Sequence, residues 1–220
     1  TTKSFTVADG ATVRIRVMGG SIRVTTGVPG LVEITLTARV RANSEADADR
    51  KASDYDVLFQ QSSGDVTATA RRKSGANPSG FDGGGVSFKA DIEVPPGVIL
   101  DLATSGGSIS VRGDRAASLK ADTSGGSITV DGGVGVLALN TSGGSIRVGQ
   151  ALSDISAHTS GGSISVDRVG PAARGIDLQE HGGVGLRQPT IADQHLEVRR
   201  LSVELQVLAP EAVGADPDLA

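Results

Sequence analysis

The six-residue word TSGGSI occurs four times in this chain, beginning at Thr104, Thr123, Thr141 and Thr159, so that successive copies lie 19, 18 and 18 residues apart. Near-identical words at a near-constant interval belong to one supersecondary unit stacked on copies of itself, because a single unit cannot bury its apolar face alone. Such a pattern constrains shape far more than chemistry.

Each repeat reads as strand, turn, strand and Gly-Gly corner. Aligned on their intervals, Leu119, Leu137 and Ile155 share one position, Ala121, Leu139 and Ala157 the next but one, and Thr123, Thr141 and Thr159 two further on. Beyond the corner, Ile109, Ile128, Ile146 and Ile164 align, followed by Val111, Val130, Val148 and Val166. Alternate side chains of a strand point to opposite faces, so these five columns turn inward together. Burying one Ile, Leu or Val contributes roughly 1.5–3 kcal/mol, against about 1–2 kcal/mol of backbone ordering per residue. One coil cannot offset that cost; a stack can. The glycine doublets at 106–107, 125–126, 143–144 and 161–162 have two expected uses: positive φ, which costs an L-residue about 1–2 kcal/mol, and clearance between coils about 4.8 Å apart.

Upstream, alternation marks strands at 4–7, 13–17, 22–24 and 32–40, broken at Asp9-Gly10 and Gly19-Gly20. The run GGSIRV at 19–24 is an early, isolated copy of the repeat word, which implies an insertion between it and the rest. Ser44 with Asp47 forms a capping box before the Gly- and Pro-free stretch 45–55, the one helix expected. A hairpin follows around Ser62-Ser63-Gly64, then a loop at 73–85. The expected fold is all-β: a mostly parallel β-solenoid, a flattened β-helix, with an N-terminal β layer and one short helix. Its divisions are 1–97, the β region with helix 45–55 packed on the solenoid; 98–190, the repeats; 191–208, a closing strand or cap; and 209–220, a disordered tail.

Composition narrows the function classes. With 2% aromatic residues and no Trp among 220 residues, the core must be thin and aliphatic. The net charge of −4 supplies no field for nucleic acid, and the basic runs Arg71–Lys73 and Arg199–Arg200 read as solvated strand ends. Without cysteine there is neither a disulfide framework nor Cys-ligated zinc. No apolar run approaches the roughly 18 residues of a membrane span. The first residue is Thr1 rather than Met, the start expected where a leader or anchor has been removed.

GGSIRV at 19–24, the helix at 45–55, the phrase VPPGVILDLATSGGSISV at 94–111 and the serial TSGGSI words together resemble the bacterial putative-adhesin domain family with β-strand repeats. The resemblance spans residues 4–208. It implies an exported or envelope-located β module and brings no catalytic residues with it.

Candidate chemistry is sparse. Among the histidines, His158 shares an outward column with Asp122, Asn140 and Gln179, and His181 falls in line with Ser124, Ser142 and Ser160. A Ser160–His181 pair oriented by Asp177 or Asp154 would suit a hydrolase, but the serines form a ladder and no G-x-S-x-G elbow exists. Polysaccharide-acting β-helices cluster carboxylates on one face; here no outer column repeats an acid. GGVGV at 132–136 and GGVGL at 182–186 match calcium-coil glycines, yet Leu137 and Arg187 stand where oxygen ligands belong, so no metal is expected. Arg112-Gly113-Asp114 spells an integrin tripeptide from ordinary turn residues. The outer hydroxyl ladders Ser124/Ser142/Ser160 and Ser108/Ser127/Ser145/Ser163 are the remaining candidates. They would bind glycan or ice, or simply hydrogen-bond each other and water; the last is favoured, since with no Trp and one Tyr the chain has little to stack on a sugar face.

The expectation is thus a non-enzymatic, cell-envelope or secreted adhesin-like interaction module without cofactor. Its binding residues would be Ser124, Ser142, Ser160, Ser127, Ser145 and Ser163. Its partner would be a protein or glycan at a cell surface rather than nucleic acid, and solenoid edges would allow self-association. The alternatives are a polysaccharide-acting enzyme on a β-helix and an envelope-stress regulatory module. Replacing Ile146 by Asp should abolish cooperative thermal unfolding, because an unpaired carboxylate would lie between coils; a variant that melts like the parent would place Ile146 outside the interior.

Overall fold

From Val86 onward, successive described strands alternate between two sheets. The computed structural model describes residues 1–73, 85–113 and 116–180, with the backbone of two further short strands at 190–191 and 198–199. In chain order the N-terminal part contains β1 (Thr2–Thr6), β2 (Thr12–Val17), β3 (Ser21–Thr26), β4 (Leu31–Val40), α1 (Glu45–Ser53), β5 (Tyr55–Ser62), β6 (Asp65–Arg72) and β7 (Val86–Val94). The repeats contribute β8 (Ile99–Thr104), β9 (Ile109–Arg112), β10 (Ser118–Thr123), β11 (Ile128–Val134), β12 (Val136–Thr141), β13 (Ile146–Ala151), β14 (Ile155–Thr159), β15 (Ile164–Val169) and β16 (Ile176–Glu180). The short strands β17 (Thr190–Ile191) and β18 (Val198–Arg199) complete the order.

Each sheet has nine described strands, one ordered β1-β4-β7-β3-β9-β11-β13-β15-β17 and the other β18-β16-β14-β12-β10-β8-β2-β6-β5. Pairing is parallel except at β1–β4, β4–β7 and β5–β6, so both are mixed and largely parallel. The register follows the repeat. Leu100, Leu119, Leu137, Ile155 and Ile176 are successive partners in one sheet; Ile22, Ile109, Ile128, Ile146 and Ile164 are partners in the other. All five sequence columns are buried, their isoleucines at 2% exposure or less.

The early GGSIRV copy lies in the stack itself. Its β3 pairs with β9 and β2 with β8, in the same columns as the later repeats. On their other side, β6 and β7 pair parallel with β2 and β3, so a coil formed first in sequence is slotted between two later ones. Backbone bonds across the entry points hold it there: Ile99 N–H donates to Ala11 O at 3.0 Å and Gly27 N–H to Val94 O at 2.8 Å.

β4, β1 and β5 cover the N-terminal end. Phe5 stacks on Phe59 with centroids 6.5 Å apart, Tyr55 meets the edge of Phe88 at 5.4 Å, and Gln61 Nε2 donates to Thr6 O at 2.7 Å between the edge strands. The described aromatics gather at this end, leaving the repeat interior to aliphatic side chains. The hairpin turn places Ser63 at φ 51° and Gly64 at φ 88°, as a two-residue turn between right-twisted strands requires. α1 starts at the expected cap, with Ser44 Oγ accepting from Asp47 N–H at 3.2 Å. Arg72 and Lys73 reach Asp54 and Asp56 at 3.7 and 3.8 Å, as exposed strand ends do. Of the stretch 191–208 expected as a closing strand or cap, Ile191 pairs with β15 and Val198–Arg199 with β16; the remainder, like the tail at 209–220, lies outside the described residues.

The corners differ from expectation in one respect. None of the four glycine doublets at 106–107, 125–126, 143–144 and 161–162 has positive φ. Their second glycines are required by proximity alone. A Cβ on Gly107, Gly126, Gly144 or Gly162 would lie less than 3.0 Å from the carbonyl oxygen of the equivalent glycine one coil earlier. The threonines explain how such close backbones are satisfied. Thr123, Thr141 and Thr159 Oγ1 donate to Gly107, Gly126 and Gly144 O at 2.8, 2.7 and 2.7 Å. The same oxygens accept from Gly126, Gly144 and Gly162 N–H at 3.4, 3.3 and 3.2 Å. TSGGSI is therefore a corner in which a buried hydroxyl bridges two coils.

Two outcomes follow for chemical denaturation. Gly144→Ala should destabilise by about 1–3 kcal/mol through overpacking, while Gly143→Ala, whose Cβ would find its nearest atom at 3.5 Å, should cost much less. Thr141→Val, which keeps shape but strands a buried carbonyl and amide, should lose about 1–3 kcal/mol. Ser142→Ala with Ser160→Ala should stay within about 0.5 kcal/mol. Equal losses in the threonine and serine variants would refute the corner assignment.

Candidate functional site

Outward residues of the repeat strands fall into rows because the register is fixed. On the sheet containing β10, β12 and β14, one row runs Arg16, Ala103, Asp122, Asn140, His158, Gln179. Two residues on, past the inward threonines, Ser124, Ser142 and Ser160 are exposed at the strand ends. Between the two rows lies a groove of about 380 Å3, lined by Asp122, Asn140 and His158 on one side and these serines on the other. It begins at Ala103 and Thr104 and crosses four coils.

The groove's wall is held by short-range polar contacts. Asn140 Nδ2 donates to Asp122 Oδ1 at 2.9 Å, and Lys120 Nζ lies 3.9 Å from Asp122 Oδ2. Gln179 turns its amide to Asp177, donating to Oδ1 at 3.1 Å. Beyond Ala103, Arg14 Nε and Arg16 Nη2 bind Asp101 Oδ2 at 3.0 and 2.7 Å. Burial pushes the Asp101 carboxyl up, but the two guanidiniums outweigh it and hold it below the usual carboxylate value. This pair of arginines is thus engaged within the sheet, and no Lys or Arg lines the groove among the described residues.

The six serines expected to bind divide into two places. Ser124, Ser142 and Ser160 edge the groove. Ser127, Ser145 and Ser163 lie across the glycine corner, where they serve the stack: Ser145 N–H donates to Ser127 Oγ and Ser163 N–H to Ser145 Oγ, both at 3.2 Å. Ser127 N–H likewise donates to Ser108 Oγ at 3.3 Å. In the last described coil Glu180 replaces threonine, and its Oε1 accepts from Ile164 N–H.

The wall residues Asp122, Asn140 and His158 were legible as an outward column, but the sequence reading placed its binding residues on the serine ladders and gave this column no role. The signal was the row itself, four hydrogen-bonding side chains at one repeat position. His181 and His195 lie outside the described residues, as does the Ser160–His181 pair. So do Asp114 of the integrin-like tripeptide and GGVGL at 182–186. Arg112 of that tripeptide lies 3.5 Å from Asp131. Among the described residues no three His, Cys, Asp or Glu side chains gather as metal ligands, and no helix is long and apolar enough to cross a membrane. A second hollow of about 600 Å3 at Val136, Asp154, Arg174 and Asp177 is built on a turn in which Asp154 Oδ1 is consumed by Arg174 and Gly175 N–H, at 2.6 and 3.0 Å. Those two backbone bonds hold the Asp154 carboxyl below its usual value.

No family model matches the chain, and no curated protein does. Solved structures similar to it include a putative cell adhesion protein from Clostridium sporogenes, at 10% identity and a TM-score of 0.33, covering 82% of this chain and 99% of that one. A putative adhesin from Bacteroides fragilis matches at 13% identity and a TM-score of 0.37, covering 86% and 96%. A putative lipid binding protein from Parabacteroides distasonis matches at 14% and 0.28, covering 86% and 96%. Likeness at this level carries no activity or ligand from those proteins to this one.

Proposed function

We propose that this chain is a non-enzymatic interaction module of the cell envelope or of a secreted protein, built as a flattened β-solenoid. Residues 98–190 form its repeats, 1–97 a β region packed on them, and 191–208 its closing cap. The partner is a protein or glycan displayed at a cell surface. The observation that carries this reading is the groove: a straight row of Asp122, Asn140 and His158 facing Ser124, Ser142 and Ser160.

Asp122, Asn140 and His158 stand on strands paired on both edges, and the serines directly follow those strands, so the backbone that carries them is fixed before any partner arrives. Preorganised polar groups lose little freedom on binding, and affinity depends on that saving more than on area. Chemistry has less to stand on. Glycoside hydrolysis by the common route needs two carboxylates flanking the bond, and Asp122 is the sole carboxylate lining the groove among the described residues. A nucleophile needs a base within hydrogen-bond reach, and Ser160 has none among its described hydrogen bonds.

Retention on bacterial envelopes tests the reading. The fluorescently labelled chain should be retained saturably on purified envelope preparations, and Asn140→Ala combined with His158→Ala should reduce retention while leaving the melting curve unchanged. Retention indifferent to that double variant, or release of soluble sugar or peptide fragments during the incubation, would refute it.

A further inference from the structure

The groove has a direction and a period, and both discriminate among occupants. Its wall is supplied by Asp122, Asn140 and His158 from β10, β12 and β14, which are consecutive paired strands. It therefore runs across the strands, along the stack, and presents one polar row every 4.7–4.9 Å or so. An extended peptide lying in it advances about 3.2–3.4 Å per residue, so no single residue matches one coil, and the three residues that span two coils present the opposite face. Strand addition is closed to a peptide as well, since β10 and β12 already have partners on both edges.

In an extended β-1,4-linked glycan each ring advances by close to the spacing between coils and successive rings are turned over, so each coil meets one ring and each polar row meets the two ring edges in alternation. The chemistry agrees. The asparagine, histidine and serine side chains each offer a donor and an acceptor, and Asp122 offers acceptors; sugar hydroxyls need both. The charge agrees too. Among the described residues no Lys or Arg lines the groove to hold an anionic polymer, and Asp122 already has Asn140 at 2.9 Å and Lys120 at 3.9 Å. Among the described residues no Phe, Tyr or Trp lines it either, so the grip is along hydroxyl edges rather than by stacking.

We infer that the groove takes a neutral polysaccharide strand lying along the stack, one sugar per coil, bound by Asp122, Asn140, His158 and the serines Ser124, Ser142 and Ser160. This deepens the interaction-module reading and rests on it. The four coils lining the groove set the length of strand that is gripped.

Calorimetric titration with β-1,4-linked N-acetylglucosamine and glucose oligomers of one to six sugars tests it, with a galacturonate hexamer as the anionic probe. At least one neutral series should bind, tightening up to about four sugars, one per lining coil, and then levelling. Asn140→Ala and His158→Ala should each weaken the hexamer roughly two- to tenfold, the range of one lost neutral hydrogen bond. Thr129→Ala, on the other sheet, should leave it unchanged. No binding by either neutral hexamer, tighter binding by galacturonate, or affinity indifferent to both wall variants would overturn the inference. Groove-dependent retention on envelopes that protease treatment abolishes would also overturn it, while leaving the interaction module standing. Loss of groove-dependent retention altogether removes both.

Discussion

The hydroxyl of a buried threonine, shared between two coils at the corners of Thr123, Thr141 and Thr159, is the contact on which the rest of this structure depends. Backbone approaches backbone there so closely that only glycine fits, and buried peptide groups must find partners or cost stability. Thr123, Thr141 and Thr159 supply both halves, donating to the glycine carbonyl of the previous coil and accepting from their own corner amide. With the corner fixed, each coil can sit on the last only in one register.

That register does two things at once. Inside, it stacks isoleucine on isoleucine and leucine on leucine, so the interior of the repeats is filled by aliphatic side chains without aromatics among the described residues. Outside, it converts a repeat position into a row. Asp122, Asn140 and His158 differ in chemistry yet share a line and a spacing, and Ser124, Ser142 and Ser160, just before the glycine corner, share another. The groove between them is a by-product of stacking, and its period is that of the sheet. A ligand with a matching period can use every row, and one without it cannot.

Much of this was legible in the chain. The inward columns, the hairpin at Ser63-Gly64, the cap at Ser44 and the early repeat at 19–24 all follow from local pattern. The glycine doublets were legible as corners, but their reason was half wrong, because clearance between coils cannot be separated from φ without coordinates. Of the expected binding serines, those at 124, 142 and 160 edge the groove and those at 127, 145 and 163 bond along the stack. Sequence alignment cannot tell these apart, since both sets are exposed hydroxyls at constant intervals.

The amino-acid order by itself determined the period, the inward and outward faces and the place of each corner, because strand alternation and glycine clearance are local rules. Only tertiary structure decided that β2 and β3 enter the stack between β6–β7 and β8–β9, because parallel pairing joins segments whose separation along the chain carries no information about who their neighbours are. It also decided which polar rows face one another across a hollow. Concavity is a property of the assembled sheet edge, and no single repeat contains it.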